Sequence, residues 1–294
     1  MPRRWQSDPT IDSPAAYKRA CAYKAFVPDA LSSLTLNLDA RLSGLVSEAE
    51  HAIRQLNDHG GPALAPLARL LLRTESIASS KVEGMQLGVR ELARAEAKSE
   101  SGMTPGSTAS EVLANIDAMV LAVADATEVR RFGRQEIAAI HRRLLAPSTH
   151  HLIGGRVRTR QNWIGGNDYN PCGADFVPPP PEDVALLLDD LCVAINDDTL
   201  SPLVQAAVVH AQFETIHPFE AGNGRTGRAL VHVVFKRRGL APRFLPPVSV
   251  IFADAKDRYV AGLTRFRGDG VGEWVEYFAA ATIRAARLAR QYVA

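Results

Sequence analysis

The sequence predicts an all-α fold, and three observations carry that reading. Apolar residues recur at helical spacing along most of the chain. Leu42, Leu45, Val46, Ala49, Ile53 and Leu56, for example, mark one face of a helix over 42–57. The stretches between such patterns are short clusters of turn residues, of which 98–108 is the clearest. Only residues 154–181 break the helical pattern at length, and they read as two short extended pieces around a loop. The expected architecture is a helical bundle carrying one irregular insertion.

Taken in order, residues 1 to about 30 are polar and proline-containing and read as an irregular arm. The helix over 42–57 follows, then a second from Leu64 to Ala78, with Glu83 just beyond it or at a continuing turn. After the loop at 98–108, helices are expected at about 109–125, 134–146, 182–196 and 203–216. Asp257 to Phe266 and Trp274 to Tyr292 close the chain, and Arg284, Arg287 and Arg290 form a solvated face of the last helix. The expected units are an N-terminal helical module over 1–105, a core over 106–240, and helices over 241–294 that complete the core.

Composition limits the functions. With 34 Lys and Arg against 32 Asp and Glu, no global field draws the chain to nucleic acid or membrane. Cys21, Cys172 and Cys192 lie far apart, so neither a zinc site nor a disulfide framework is suggested, and the chain reads as cytoplasmic. Arg3-Arg4 leads into Trp-Gln-Ser-Asp-Pro rather than an apolar core, so it is no secretion signal. No uninterrupted apolar run has the length of a membrane span. Homo-oligomers stay open.

The chemistry concentrates in His217-Pro-Phe-Glu-Ala-Gly-Asn-Gly-Arg-Thr-Gly-Arg228. Pro218 disfavours helix at His217, so one helix ends there. Gly222 and Gly224 supply a turn, and a second helix opens near Gly224 or Arg225. Helix starts leave N–H groups without carbonyl partners and so bind anions, phosphate above all. Arg225 and Arg228 share a face of that first turn, where cations oppose the helix dipole by roughly 0.3–1 kcal/mol each. Two arginines make sense there if a polyanion sits between them. His217 stands where it can take a proton from an incoming hydroxyl. Phe219 reads as the apolar anchor of the loop. Gly222 to Gly227 also fits the dinucleotide fingerprint G-x-G-x-x-G, but the preceding pattern is helical and no acidic residue follows at the required distance.

This run resembles the signature of the Fic (filamentation-induced-by-cAMP) family, His-Pro-Phe-x-acidic-Gly-Asn-Gly-Arg-x-x-Arg. It departs at one fixed place, where Ala221 stands for the acidic residue. The resemblance implies a Fic-type helical bundle with a short β-hairpin flap and an N-terminal helical module. It implies AMP transfer from ATP to a Ser, Thr or Tyr hydroxyl of a protein target. In these terms His217 is the base, and Phe219, Gly222, Asn223, Gly224, Arg225 and Arg228 form the nucleotide site. The family expectation of Mg²⁺ is in doubt here, because Ala221 offers no ligand oxygen and the adjacent Glu220 is a weak substitute. A nucleotide-binding regulator with little catalysis is the alternative, beside a Fic-fold enzyme that uses another donor or removes AMP.

Two further stretches enter through the same resemblance. Ser79-Ser-Lys-Val-Glu-Gly84 matches the pattern Ser/Thr-x-x-x-Glu-Gly/Asn, which implies that Ser79, Glu83 and Gly84 belong to an inhibitory segment whose glutamate pairs with Arg228. Ser80-x-x-Glu83 also reads as a helix cap. Gln161, Asn162, Trp163, Ile164, Gly165 and Gly166 are similar to the family's flap, which pairs with a target segment as an added strand. His210 shares a helix face with His217. A core position suits it better than a metal pair, since no third ligand is spaced to join them.

Overall fold

Helix α7 (Pro202–Ile216) runs through the middle of the molecule, and every side chain from Leu203 to Ile216 is buried. Its sequence is apolar on all sides, as a core helix requires. Ser201 caps its start by accepting the Val204 N–H, with Pro202 in the first turn. Around it, α8 (Asn223–Arg237) and α6 (Pro181–Asn196) pack directly, while α1 (Ala40–Asn57) lies on α11 (Val271–Arg290). Helix α4 (Ser107–Glu128) touches α5 (Arg134–Leu145), α8 and α2 (Ala65–Val82). Helix α10 (Lys256–Phe266) packs on α11. This computed structural model describes residues 1–7, 10, 12–58 and 65–292, so the expected helix start at Leu64 lies outside the described residues. One apolar cluster extends from Leu42 to Ala285 and joins all the long helices of the core.

The expected all-α bundle is present, with several differences. The N-terminal arm is not irregular. Strands β1 (Pro2–Trp5) and β2 (Cys21–Lys24) pair antiparallel, Pro2 opposite Lys24 and Trp5 opposite Cys21. Distant side chains make this hairpin stable, which is why the local sequence hides it. Trp5 meets Trp163 edge-on at 5.6 Å, Tyr17 stacks on Tyr169 at 5.3 Å, and Phe26 lies 5.9 Å from Phe176. Cys21 and Cys172 form a disulfide across 151 residues. The expectation of no disulfide fails because spacing arguments detect only local cysteine patterns.

Helices α3 (Val89–Glu100) and α9 (Val248–Asp254) were not expected. The first is charge-rich, with Val89 and Leu92 as its large apolar residues, and the second has seven residues. Residues 154–181 are irregular as expected, but the flap holds a single antiparallel bridge, Ile164 to Phe176, rather than two full strands. Helix α4 has the length and mean hydropathy, 1.3, of a membrane span, though Glu111, Asp117 and Asp125 interrupt its apolar residues. Its Val112, Asn115, Ala118, Met119, Ala122 and Ala126 are buried in the bundle.

Candidate active site

Helix α7 stops at Ile216, and His217 takes the left-handed conformation, φ 49° and ψ 60°. His217 is the one non-glycine residue with positive φ among the described residues. Such a conformation costs on the order of 1–3 kcal/mol and persists only where neighbours enforce it. The enforcement is visible. Arg158 Nε donates to the His217 carbonyl at 2.9 Å, its Nη2 donates to Pro179 and Ile216 carbonyls, and its backbone N–H donates to Pro218.

The same accounting runs through the loop. Asn162 Nδ2 donates to the carbonyls of His217 and Phe219 at 3.1 and 2.9 Å. Asn223 staples Phe219, accepting its N–H at 2.9 Å and donating to its carbonyl at 2.8 Å. His141 Nε2 bonds the Ala221 carbonyl, and Thr226 donates to that of Gly222. The N–H groups of residues 220–225 have no hydrogen-bond acceptor among the described residues. Carbonyls turned inward and amides left over at the start of α8 make an anion site.

Arg225 and Arg228 stand on this first turn, both buried. Arg225 Nη1 is 3.5 Å from Glu111 Oε2, and its Nε is buried without a partner. Arg228 donates from Nε to Ser79 Oγ at 2.9 Å, and from Nη2 to the Ser79 carbonyl at 2.8 Å and Glu83 Oε1 at 2.7 Å. The Glu83 carboxylate rests against the start of α8, where a β-carbon on Gly224 would collide with it. Burial disfavours the charge on Glu83, but Arg228 and then Arg225 override this and hold its carboxyl below the usual range. An anion therefore already sits on the helix start, and it belongs to the chain itself.

Helix α2 is aimed for this contact. Asn115 donates to the Ser76 carbonyl and Ser80 Oγ, and Glu75 accepts from the Ser249 N–H at 2.8 Å with His232 Nε2 3.0 Å away. Ser80 donates to Ser76 inside α2, so it does not start a helix and the cap reading falls. Gly84 ends the helix with φ 82°.

His217 is held in its neutral form. Burial lowers its pKa to about 4, opposed by the Glu214 carbonyl and reinforced by Arg158 and Arg267. Nδ1 is enclosed against that carbonyl without a well-aligned hydrogen bond, which leaves Nε2 for other work. Phe219 is the expected anchor, buried and stacked on His141. His210 is a core residue with Nε2 2.9 Å from Tyr259 Oη. The flap lies over the loop through Asn162. Trp163 donates to Asn167, Gln161 to Pro178, and Gly165 and Gly166 both have positive φ.

Among the described residues no group of His, Cys, Asp and Glu is arranged to hold a metal. Ala221 presents a methyl group at the loop, and Glu220 is exposed. These donors do not fit a protein-held Mg²⁺, and the expectation of one is not met by this chain's residues. His141, Arg158 and Asn115 were not singled out from the sequence. A lone His, Arg or Asn in a helical or loop pattern carries no signal of the backbone groups it will satisfy.

Residues 131–235 match the model of the Fic/DOC family, and residues 44–124 match that of the Fic/DOC family N-terminal region. The chain belongs to the Fic/DOC family. It is 29% identical over 242 residues to protein adenylyltransferase fic-1 of Caenorhabditis elegans, covering 77% of this chain and 46% of that one. It is 35% identical over 127 residues to protein adenylyltransferase Fic of Nematostella vectensis, covering 42% of this chain and 26% of that one. The chain thus spans under half the length of these relatives. A Fic family protein from Desulfovibrio desulfuricans G20 has the same fold, with TM-score 0.69 and 23% identity over 87% of this chain and 76% of that one. Residues 134–508 of Fic-1 from C. elegans superpose with TM-score 0.66 at 23% identity, covering 86% and 73%.

Proposed function

We propose that this Fic protein transfers AMP from ATP to a hydroxyl side chain of a protein. The observation that carries the reading is the run of unpartnered amides at 220–225, flanked by Arg225 and Arg228 and entered past His217. The amides hold α- and β-phosphates, and Arg228 holds the terminal phosphate. His217 takes the proton of the target hydroxyl as its oxygen bonds to the α-phosphorus. The bond to the β-phosphate oxygen breaks, and pyrophosphate leaves with its charge on the amides and arginines. Asn223 acts by shaping the loop, since its side chain is engaged with Phe219. The flap residues 161–166 position the target segment by backbone pairing.

Glu83 is an inhibitor in cis. It occupies the anion site and Arg228 together, so the terminal phosphate must displace it. The methyl of Ala221 favours a second reading, in which nucleotide binds and little is transferred. Incubation with α-labelled ATP and Mg²⁺ separates the two, with Glu83→Gly and Ala221→Asp compared with the chain as it stands. Label on protein supports transfer. Tight nucleotide binding without label in all variants supports the second reading.

A further inference from the structure

The glycines that make the loop possible also leave it under-determined. Gly222 sits at φ 75° and ψ 10°. Glycine takes positive and negative φ with similar ease. The Ala221–Gly222 peptide is therefore free to turn over as far as its own residues are concerned. Turned over, it would point the Ala221 carbonyl oxygen at the anion site and hide the Gly222 N–H. Carbonyl and N–H of one trans peptide point in opposite directions, so whatever fixes one fixes the other.

The fixing group comes from α5. The Gly155 N–H donates to His141 Nδ1 at 2.8 Å, which makes that nitrogen the acceptor and places the ring proton on Nε2. Nε2 then donates to the Ala221 carbonyl at 2.8 Å. The ring stacks on Phe219 with centroids 3.7 Å apart and planes 5° from parallel. Its Nε2 lies 3.3 Å from where a β-carbon on Gly222 would be. The side chain is fully buried, so water does not compete for either bond. Three loop residues thus meet one imidazole.

We infer that His141 is a positioning residue that locks the Ala221–Gly222 peptide with its carbonyl inward and the Gly222 N–H turned toward the bound phosphates. The bond pattern demands a neutral ring, because a proton on Nδ1 would confront the Gly155 N–H. Burial, then Arg225 and Arg142, lower the pKa to about 4, against the opposing effect of the Ala221 bond. The lock therefore holds across the neutral range. It rests on the nucleotide-binding part of the function proposed above.

The test measures binding of a non-hydrolysable ATP analogue by calorimetry in a Glu83→Gly background. His141→Gln carries an amide donor near the position of Nε2. His141→Asn keeps only the acceptor for Gly155. His141→Phe keeps the stack and loses both bonds. The Gln variant is expected to bind within about threefold of its parent, and the Asn and Phe variants at least tenfold more weakly, which is about 1.4 kcal/mol. Affinity in the Phe and Asn variants equal to that of the parent overturns the inference. Nitrogen-15 spectra of the unsubstituted chain supply a readout independent of variant folding. They should show an Nε2–H tautomer for His141 with no titration between pH 7 and about 5, and an Nδ1–H tautomer overturns the inference. Variants that bind in the expected order while no chain transfers AMP support the lock and overturn only the transferase reading.

Discussion

The loop that starts α8 and the flap meet through Asn162, and they are held in different ways. The loop from His217 to Arg228 is fixed by hydrogen bonds to its own backbone, from Arg158, Asn162, His141 and Asn223. The flap and the N-terminal hairpin add contacts between side chains to their backbone bonds, three aromatic pairs and one disulfide. The difference fits the two tasks proposed for them. Phosphate has one shape and rewards a rigid array of N–H groups. Target segments vary, and a surface assembled from separate pieces of chain tolerates variation.

The largest effect that tests this contrast is on the loop. His217→Ala is expected to lower AMP transfer by roughly 10²–10⁴, with ATP affinity changed only a few-fold, because the amides stay in place. Label incorporation and analogue binding measured on the same preparation check it. Undiminished labelling would remove His217 from the reaction.

Acid should attack the loop side before the hairpin. His141 and His217 titrate near 4 and His210 near 3, each lowered first by burial, against an unfolded value of 6.5. Below 6.5 the unfolded chain takes up three protons that the folded chain refuses. Glu214 works the other way. Burial raises its pKa to about 7 from 4.5, so between these values the folded chain holds one proton that the unfolded chain has lost. Three against one leaves two extra protons on the unfolded chain between about pH 4.5 and 6.5. Stability therefore falls as pH drops through this window, by up to roughly 2.7 kcal/mol per pH unit. Urea melts at pH 7, 6 and 5 measure the slope. A midpoint that does not move would show that these rings are solvated.

The loop was legible in the sequence for the reason that makes it rigid. Gly222 is demanded by its positive φ, Asn223 by its two bonds to Phe219, and Gly224 by the close approach of Glu83, so their order carries the structure. Pro218 likewise marks the end of α7 at Ile216. The Glu83–Arg228 pair was legible only through family resemblance, because a carboxylate on one helix does not announce its guanidinium on another. The hairpin was not legible at all. Pro2–Trp5 and Cys21–Lys24 are short and polar, and their partners Trp163, Tyr169 and Cys172 stand more than 140 residues away. Helix α9, with seven residues, is too short to show a period.

Ala221→Asp asks whether the loop lacks only a ligand oxygen. Transfer should rise by at least about tenfold, or 1.4 kcal/mol of barrier, and become Mg²⁺-dependent. A chain that already turns over as fast as the Asp variant, at equal Mg²⁺, would show that the methyl at 221 costs nothing. Glu83→Gly is a smaller change, expected to tighten nucleotide binding several-fold by vacating Arg228, and calorimetry measures it. Affinity unchanged by the substitution would mean that Glu83 does not compete with phosphate.

The smallest effect belongs to the hairpin, and it separates the disulfide from the aromatic pairs. A disulfide typically contributes about 2–4 kcal/mol. Each aromatic pair contributes about 0.5–1.5 kcal/mol beyond its buried area, so the three together are of similar size. The Phe26 N–H also donates to the Val177 carbonyl, and Asn170 donates to the Tyr17 carbonyl, both at 2.8 Å. With these contacts intact, Cys172→Ser should leave the hairpin docked. Proteolysis within residues 1–26 should quicken only modestly, and the melting of the helical core should stay within a few degrees. Tyr17 and Tyr169, stacked at the rim, give the complementary variant. Tyr169→Ala in the Cys172→Ser background removes both a pair and the covalent tie, and cleavage should then accelerate well beyond either single change. If Cys172→Ser alone releases residues 1–26 to full cleavage, the covalent bond holds the hairpin and the aromatic pairs merely follow it.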